Sequence, residues 1–317
     1  MPAAPLRDLF NRRFLFVTGK GGVGKTTVTA ALAEAMARTG KKVLIAASAE
    51  GDSLARALGI GALPLEIEEI RPGLSVVRIT LERALLEYGR LMLHGGKLFD
   101  AVFNNQALQS FFRGVPGLSE WAILGKAWYH GTERGEDGTA RFDTVILDAP
   151  ATGHGVGMLW VPRVVVDIAP TGLLRRDAEL ALEMFQDPKL SGVVIVTLPE
   201  ELPTNETLEL AQAIQSDLKM PLSMLFVNSR TPSLFSAEQR AFLVGAAPDP
   251  DSAVGRVLAV AKERARTEER EAGQVRRLAP LGVPWMELPE IRQSSDPAAI
   301  THNLAEILQH AAAQKDA

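Results

Sequence analysis

With 317 residues, 46% of them hydrophobic, the chain is long enough to bury a large core. Its 34 basic and 38 acidic side chains leave a formal net charge of −4, so there is no bulk basic signature for nucleic acid or an anionic membrane. The absence of cysteine excludes disulfides, iron–sulfur clusters, thiolate zinc sites and any cysteine-based arsenite site.

Met1 to Arg13 carries charges but no apolar core of a secretory signal, and no apolar run approaches the ~18 residues of a membrane span. The expectation is a cytoplasmic protein with no integral membrane segment. The first strong element is the apolar, β-branched run Phe14 to Thr18, a predicted strand, followed by GKGGVGKTT at Gly19 to Thr27. This string fits GxxxxGK[ST], the phosphate-binding loop, and it leads into a predicted helix over Thr26 to Thr39. Glycine at Gly21, Gly22 and Gly24 lets the backbone turn tightly with its N–H groups inward, where a Cβ would block a phosphate. The helix N-terminus adds partial positive charge at the same spot. Gly21, Gly22, Val23, Gly24, Lys25, Thr26 and Thr27 are therefore the candidate ATP-binding residues. Lys25 is expected to reach the β and γ phosphates, and the Thr26 hydroxyl to hold Mg²⁺. Lys20, directly after the first glycine, is not required by an ordinary P-loop.

Further strand-like runs follow at Val43 to Ala47, Leu74 to Ile79, Thr144 to Leu147, Val193 to Leu198, Leu222 to Val227 and Val283 to Leu288. Several are apolar without alternation, as strands covered on both faces are, and most are separated by helical patterns. The fold class expected is α/β: a doubly wound, mostly parallel sheet of the P-loop NTPase type. Residues 81–140 depart from the alternation. Leu81, Leu85, Tyr88 and Met92 share one helical face, Phe99, Val102 and Phe103 the next, and a second helical run covers Leu118 to Trp128. The polar segment Gly131 to Gly138 then returns to the sheet. Residues 1–317 thus read as one domain with a helical insertion at about 81–140. Ser252 to Leu278 reads as a charged, solvated helix along one side.

Phe142 to His154 reads FDTVILDAPATGH and delivers Asp148 to the carboxyl end of a strand, where open α/β sheets bind ligands and a P-loop protein needs a carboxylate for Mg²⁺. The string GKGGVGKT resembles the deviant P-loop of the MinD, ParA, nitrogenase iron protein and ArsA group. DAPATGH, PGLSEW at Pro116 to Trp121, MFQDP at Met184 to Pro188, VTLPEELPTNET at Val196 to Thr207 and FVNSR at Phe226 to Arg230 are similar to the ArsA-type ATPases. The resemblance implies a nucleotide-sandwich dimer, with itself or a paralogous ArsA-type subunit, in which Lys20 crosses to the partner's nucleotide. It also implies that Asn228 meets the adenine and that Leu288, Pro289 and Glu290 border the base. His154 is either a switch element or a hydrogen-bonded structural histidine.

Two features depart from that family. Its switch I aspartate, which positions or activates the attacking water, falls on Ala49 when Val43 to Gly59 is set against it without gaps. Glu50 and Asp52 are the nearby carboxylates able to substitute, and both also read as solvated loop acids. Loss of such a group typically costs on the order of 10²–10⁴ in rate, so binding of ATP is the firmer expectation than fast hydrolysis. The insertion is also poor in methionine, so its apolar stripes read first as the core joining it to the sheet, with a groove for a protein client as the alternative. Two functions stand side by side: a Mg·ATP-dependent dimeric switch for a protein partner, with a hydrophobic or membrane-protein client as one candidate, and a weakly hydrolysing regulatory or scaffolding subunit. A membrane-positioning role would need an amphipathic tail, and Asn303 to Ala317 is short and weakly amphipathic.

Overall fold

The structure is a computed structural model, which describes residues 4–48, 51–92, 117–149, 154–249 and 251–314. Eight strands form one sheet: β1 Phe14–Thr18, β2 Val43–Ala47, β3 Glu68–Arg71, β4 Leu74–Arg78, β5 Thr144–Asp148, β6 Ser191–Thr197, β7 Leu222–Arg230 and β8 Trp285–Pro289. Their order is β3-β4-β2-β5-β1-β6-β7-β8, and every pairing is parallel except β3 with β4. The doubly wound, mostly parallel sheet expected of the sequence is therefore present. β3 went unrecognised because EEIR is a charged, irregular edge strand with a register shift between Glu69 and Arg71.

The continuous apolar runs are explained by burial on both faces. Successive residues of β1 part to opposite sides, Leu15 and Val17 to one core, Phe14 and Phe16 to the other. The first core is covered by α1 Ala4–Phe10, α2 Lys25–Ala37, α3 Ser53–Leu58 and the C-terminal helix, here α11 Pro297–Ala313. The second is covered by α4 Leu81–Met92, α5 Leu118–Thr132, α6 His154–Ile168, α7 Leu173–Gln186 and α8 Glu201–Gln212. Helices α9 Ala237–Gly245 and α10 Ala253–Leu278 form a hairpin beyond β7, with Val275 and Leu278 packed on Val227.

Two helices frame the site. α2 is rich in alanine, and Ala30, Ala31, Ala33 and Ala35 are completely buried, which lets α11 approach closely. α11 starts at Asp296, whose side chain accepts from the Ala298 N–H ahead of Pro297 in the first turn. It buries Leu304, Ala305, Leu308 and Ala312. The segment weighed as a membrane tail thus spends its apolar face on α2. No described helix is long and apolar enough to cross a membrane. Of the insertion, α4 and α5 are described, and residues 93–116, with Phe99, Val102, Phe103, Leu108, Phe111 and Phe112, lie outside the described residues.

Candidate functional site

The turn between β1 and α2 is held by approaches that only glycine permits. Gly19 has φ 143°, and a Cβ there would stand 2.2 Å from the Val196 carbonyl oxygen on β6. Gly24 has φ 91°, and a Cβ would stand 2.3 Å from Asn228 Nδ2. Asn228, at the end of β7, donates from Nδ2 to the Val23 carbonyl at 2.9 Å and so ties the loop to the sheet. α2 begins without a side-chain cap, which leaves its first-turn N–H groups free for an anion.

Lys25 opens α2 and is 8% exposed, with Nζ donating to the Lys20 carbonyl at 2.8 Å. Burial pulls its pKa below the usual lysine value, partly opposed by the charge of Asp148. A confined ammonium whose partner is a neutral carbonyl gains by meeting an anion.

β5 carries Asp148 to the same place because it pairs with β1, Val17 opposite Asp148. The carboxylate is 2% exposed; Oδ2 accepts from Thr26 Oγ1 at 2.9 Å and Oδ1 from Thr29 Oγ1 at 3.3 Å. Burial pushes its pKa up to about 6, against the opposing pull of the Thr26 hydrogen bond, the Lys25 charge and the Thr29 hydrogen bond. Ser48 Oγ donates to the Asp148 carbonyl at 2.9 Å and joins the ends of β2 and β5. A hydroxyl beside a carboxylate is an all-oxygen donor set, which suits Mg²⁺ completed by phosphate and water. No group of three or more His, Cys, Asp or Glu fit to hold a metal occurs among the described residues. The residues present therefore fit Mg²⁺ held jointly with a nucleotide, rather than by the protein alone.

Beside the loop lies a cavity of about 470 Å³ lined by Gly22, Val23, Gly24, Thr27, Asn228, Pro289 and Glu290. That volume is in the range of small-molecule sites. These seven were all expected from the sequence. The same cavity is walled by Leu198, Pro199 and Glu200 before α8, by Ser229, by Ile291, by Glu271 of α10, and by Ile300 and Leu304 of α11. None of these was expected as a site residue, although Leu198 to Glu200 and Ser229 fall in strings that carry the family resemblance. The local cue at Ser229 is its φ of 52°, invisible in sequence, and Glu271 belongs to the helix read as merely solvated. Glu271 is fixed by Arg230 and by the Thr231 N–H and hydroxyl at 3.0 and 2.7 Å. Thr29 had one available cue, its position one helical turn after Thr26.

The remaining expected residues are placed differently. Gly21 is exposed in the turn. Leu288 is completely buried in the core and does not line the cavity, whereas the adjacent Pro289 and Glu290 do. Asp52 precedes α3 with its side chain 70% exposed, 3.7 Å from Arg78, and is not in the cavity wall. Ala49 and Glu50, and Pro150 to Gly153 of the DAPATGH string, lie outside the described residues. Lys20 Nζ lies 2.5 Å from Glu206 Oε1 on α8.

The chain is similar to known ATPases. The family model described as Anion-transporting ATPase matches residues 12–176. The ATPase BagA of Mycobacterium tuberculosis is 27% identical over 304 residues, covering 90% of this chain and 89% of its own length. The ATPase GET3 of Candida glabrata is 26% identical, covering 71% of this chain and 74% of its own. The arsenical pump-driving ATPase of Escherichia coli is 29% identical over 58% of this chain, which corresponds to 33% of that longer protein.

Proposed function

The chain belongs to the anion-transporting ATPase family and is an ATPase of that family, and from this premise we propose that it binds Mg·ATP at the P-loop cavity and works as a dimeric switch for a protein partner. The observation that carries the reading is the Thr26–Asp148 pair, 2.9 Å apart, with Thr26 in the first turn of α2, directly after the loop whose Gly22 and Gly24 wall the cavity together with Asn228. In this reading residues 1–317 act as one ATPase domain.

The roles follow from chemistry. The N–H groups of Gly21, Gly22, Val23, Gly24 and the start of α2 cradle the phosphates. The Lys25 ammonium exchanges its carbonyl partner for a phosphate oxygen, a stronger, charge-assisted bond. Thr26 and Asp148 hold Mg²⁺, which when bound neutralises charge on the β and γ phosphates. Asn228 from β7 and Pro289 and Glu290 from the end of β8 bound the base, with Leu288 anchoring β8 in the core. Lys20 serves the site of a second chain, a copy or a paralogue. Nucleotide state then acts on a partner only through a difference in affinity between states, and a few kcal/mol changes occupancy substantially. Arsenical transport, named for the bacterial relative, is not carried over, since this chain has no cysteine.

Hydrolysis is expected to be slow in the isolated chain. Ala49 stands where the resemblance puts the water-activating aspartate, and Asp52 is turned to Arg78 and solvent. This favours the second reading, a regulatory subunit whose partner supplies the missing carboxylate. The deciding measurement is steady-state ATP turnover of the purified chain against Lys25→Ala and against Glu50→Ala with Asp52→Ala. Lys25→Ala should abolish ATP binding. Undiminished turnover in the Glu50/Asp52 double variant would exclude both acids as the base, and binding unaffected by Lys25→Ala would sink the assigned site.

A further inference from the structure

Lys20 is held in this structure by a residue that none of the P-loop chemistry accounts for. Its Nζ lies 2.5 Å from Glu206 Oε1, and the two side chains are 30% and 33% exposed. Its backbone is anchored at Gly19, which is packed against Val196, and the Lys20 carbonyl accepts from Lys25 Nζ at 2.8 Å until a phosphate takes that ammonium. Redirection is therefore mainly a matter of the side chain. Glu206 is equally well anchored, because α8 buries Pro203, Thr204, Thr207, Leu210 and Ala211, and its neighbour Asn205 accepts from Arg277 of α10 at 2.5 Å. Glu206 Oε2 is closed to solvent and has no hydrogen-bond partner among the described residues. Its carboxylate is thus satisfied through Lys20 alone, and removing that ammonium leaves a poorly compensated charge.

We infer that Glu206 is a positioning residue for Lys20, holding the ammonium against its own chain so that Lys20 reaches a second chain's nucleotide only when this pair opens. The inference rests on the dimeric reading above. The pair is also placed to respond to nucleotide, since Leu198, Pro199 and Glu200, which lead directly into α8, wall the cavity. A ligand seated there bears on the helix that carries Glu206. The pair competes with dimer completion, so weakening it should favour the dimer without altering the chemistry once the dimer is complete.

The test uses the full chain and reads Mg·ATP turnover across a series of protein concentrations, together with oligomeric mass by analytical ultracentrifugation with and without Mg·ATP. Glu206→Gln keeps the shape but removes the charge. It should lower the protein concentration of half-maximal turnover by about two- to five-fold, the range spanned by partly exposed ion pairs. The plateau rate and the binding of a fluorescent ATP analogue should stay at the wild-type level, and more dimer should form at any subsaturating concentration. Glu206→Asp, which retracts the carboxylate by one methylene, should move the midpoint in the same direction by less. On a Lys20→Ala background Glu206→Gln should have no effect. An unchanged or higher midpoint in both Glu206 variants overturns the inference, as does a shift that persists without Lys20. Lys20→Ala behaving as wild type would overturn the dimeric reading itself. Loss of turnover in Lys20→Ala with silent Glu206 variants would overturn the positioning role alone.

Discussion

Asp148 shows how burial sets the protonation of the carboxylate proposed to hold Mg²⁺. Its pKa, raised from the ordinary 3.8 to about 6, means that the folded chain holds this proton more tightly than the unfolded chain does. Stability from that proton is fully present below about pH 4 and is lost as pH rises through about 6, a change of about 3 kcal/mol by linkage. In the nucleotide-free state, Asp148→Asn should therefore raise the melting temperature at pH 7 to 8 and give no gain near pH 4. The same variant should lose Mg²⁺-dependent turnover, because the neutral amide is a poor ligand for the metal. Thermal unfolding across pH checks the first statement, and an equal Tm difference at both pH extremes would refute it. Binding of Mg·nucleotide by the wild type should weaken as pH falls below about 6, since a proton competes for the same oxygen. At Gly24 the constraint is steric. Gly24→Ala places a Cβ 2.3 Å from Asn228 Nδ2 at φ 91°, and should cost about 1–3 kcal/mol of stability as well as nucleotide affinity. Wild-type binding of a fluorescent ATP analogue by this variant would show that the Asn228 contact does not matter.

At the scale of elements, the α9–α10 hairpin depends on one buried carboxylate. Glu268 is 1% exposed and accepts from the Leu234 N–H at 3.0 Å, Arg264 Nε at 3.1 Å and Ser233 Oγ at 3.2 Å, with Arg240 at 3.5 Å. Glu268→Ala takes the acceptor from the Leu234 N–H and Arg264 Nε, while Ser233 and Arg240 keep the Phe235 carbonyl, and should cost about 1–3 kcal/mol. Hydrogen exchange should then accelerate in residues 233–268 while α2 keeps its protection, because the hairpin hangs outside the sheet. Uniform acceleration throughout the chain would instead make the hairpin part of the global folding unit. Element identity was largely readable where burial is two-sided: β1 and β2 begin and end where their apolar runs do. β3 was not readable, because a charged edge strand of four residues is specified by its pairing with β4 rather than by its own composition. The helix Ala253–Leu278 was readable as a helix, but its inward Glu271 was not distinguishable from its solvated acids.

For the whole molecule, the P-loop site is assembled from distant parts of the chain, and Lys20 projects from it toward α8. Mg·ATP should raise the sedimenting mass from monomer to dimer, with itself or with a paralogue mixed in. Lys20→Ala should keep ATP binding but lose the increase in specific activity with protein concentration. Equal turnover of variant and wild type at all concentrations would remove the sandwich arrangement. What the amino-acid sequence determined by itself is the local machinery: the strand–loop–helix from Phe14 through α2, the carboxylate at the end of β5, and the all-apolar strands that force a two-sided sheet. Those signals are local because dihedral freedom, helix start and strand burial are set by neighbours in sequence. Tertiary structure alone decided the remainder. Glu271, Ile300 and Leu304 reach the cavity, and Glu206 reaches Lys20 across 186 residues, because the sheet order sets β6, β7 and β8 beside the loop and α11 against α2. Contacts at that separation depend on how elements pack, which no local pattern encodes.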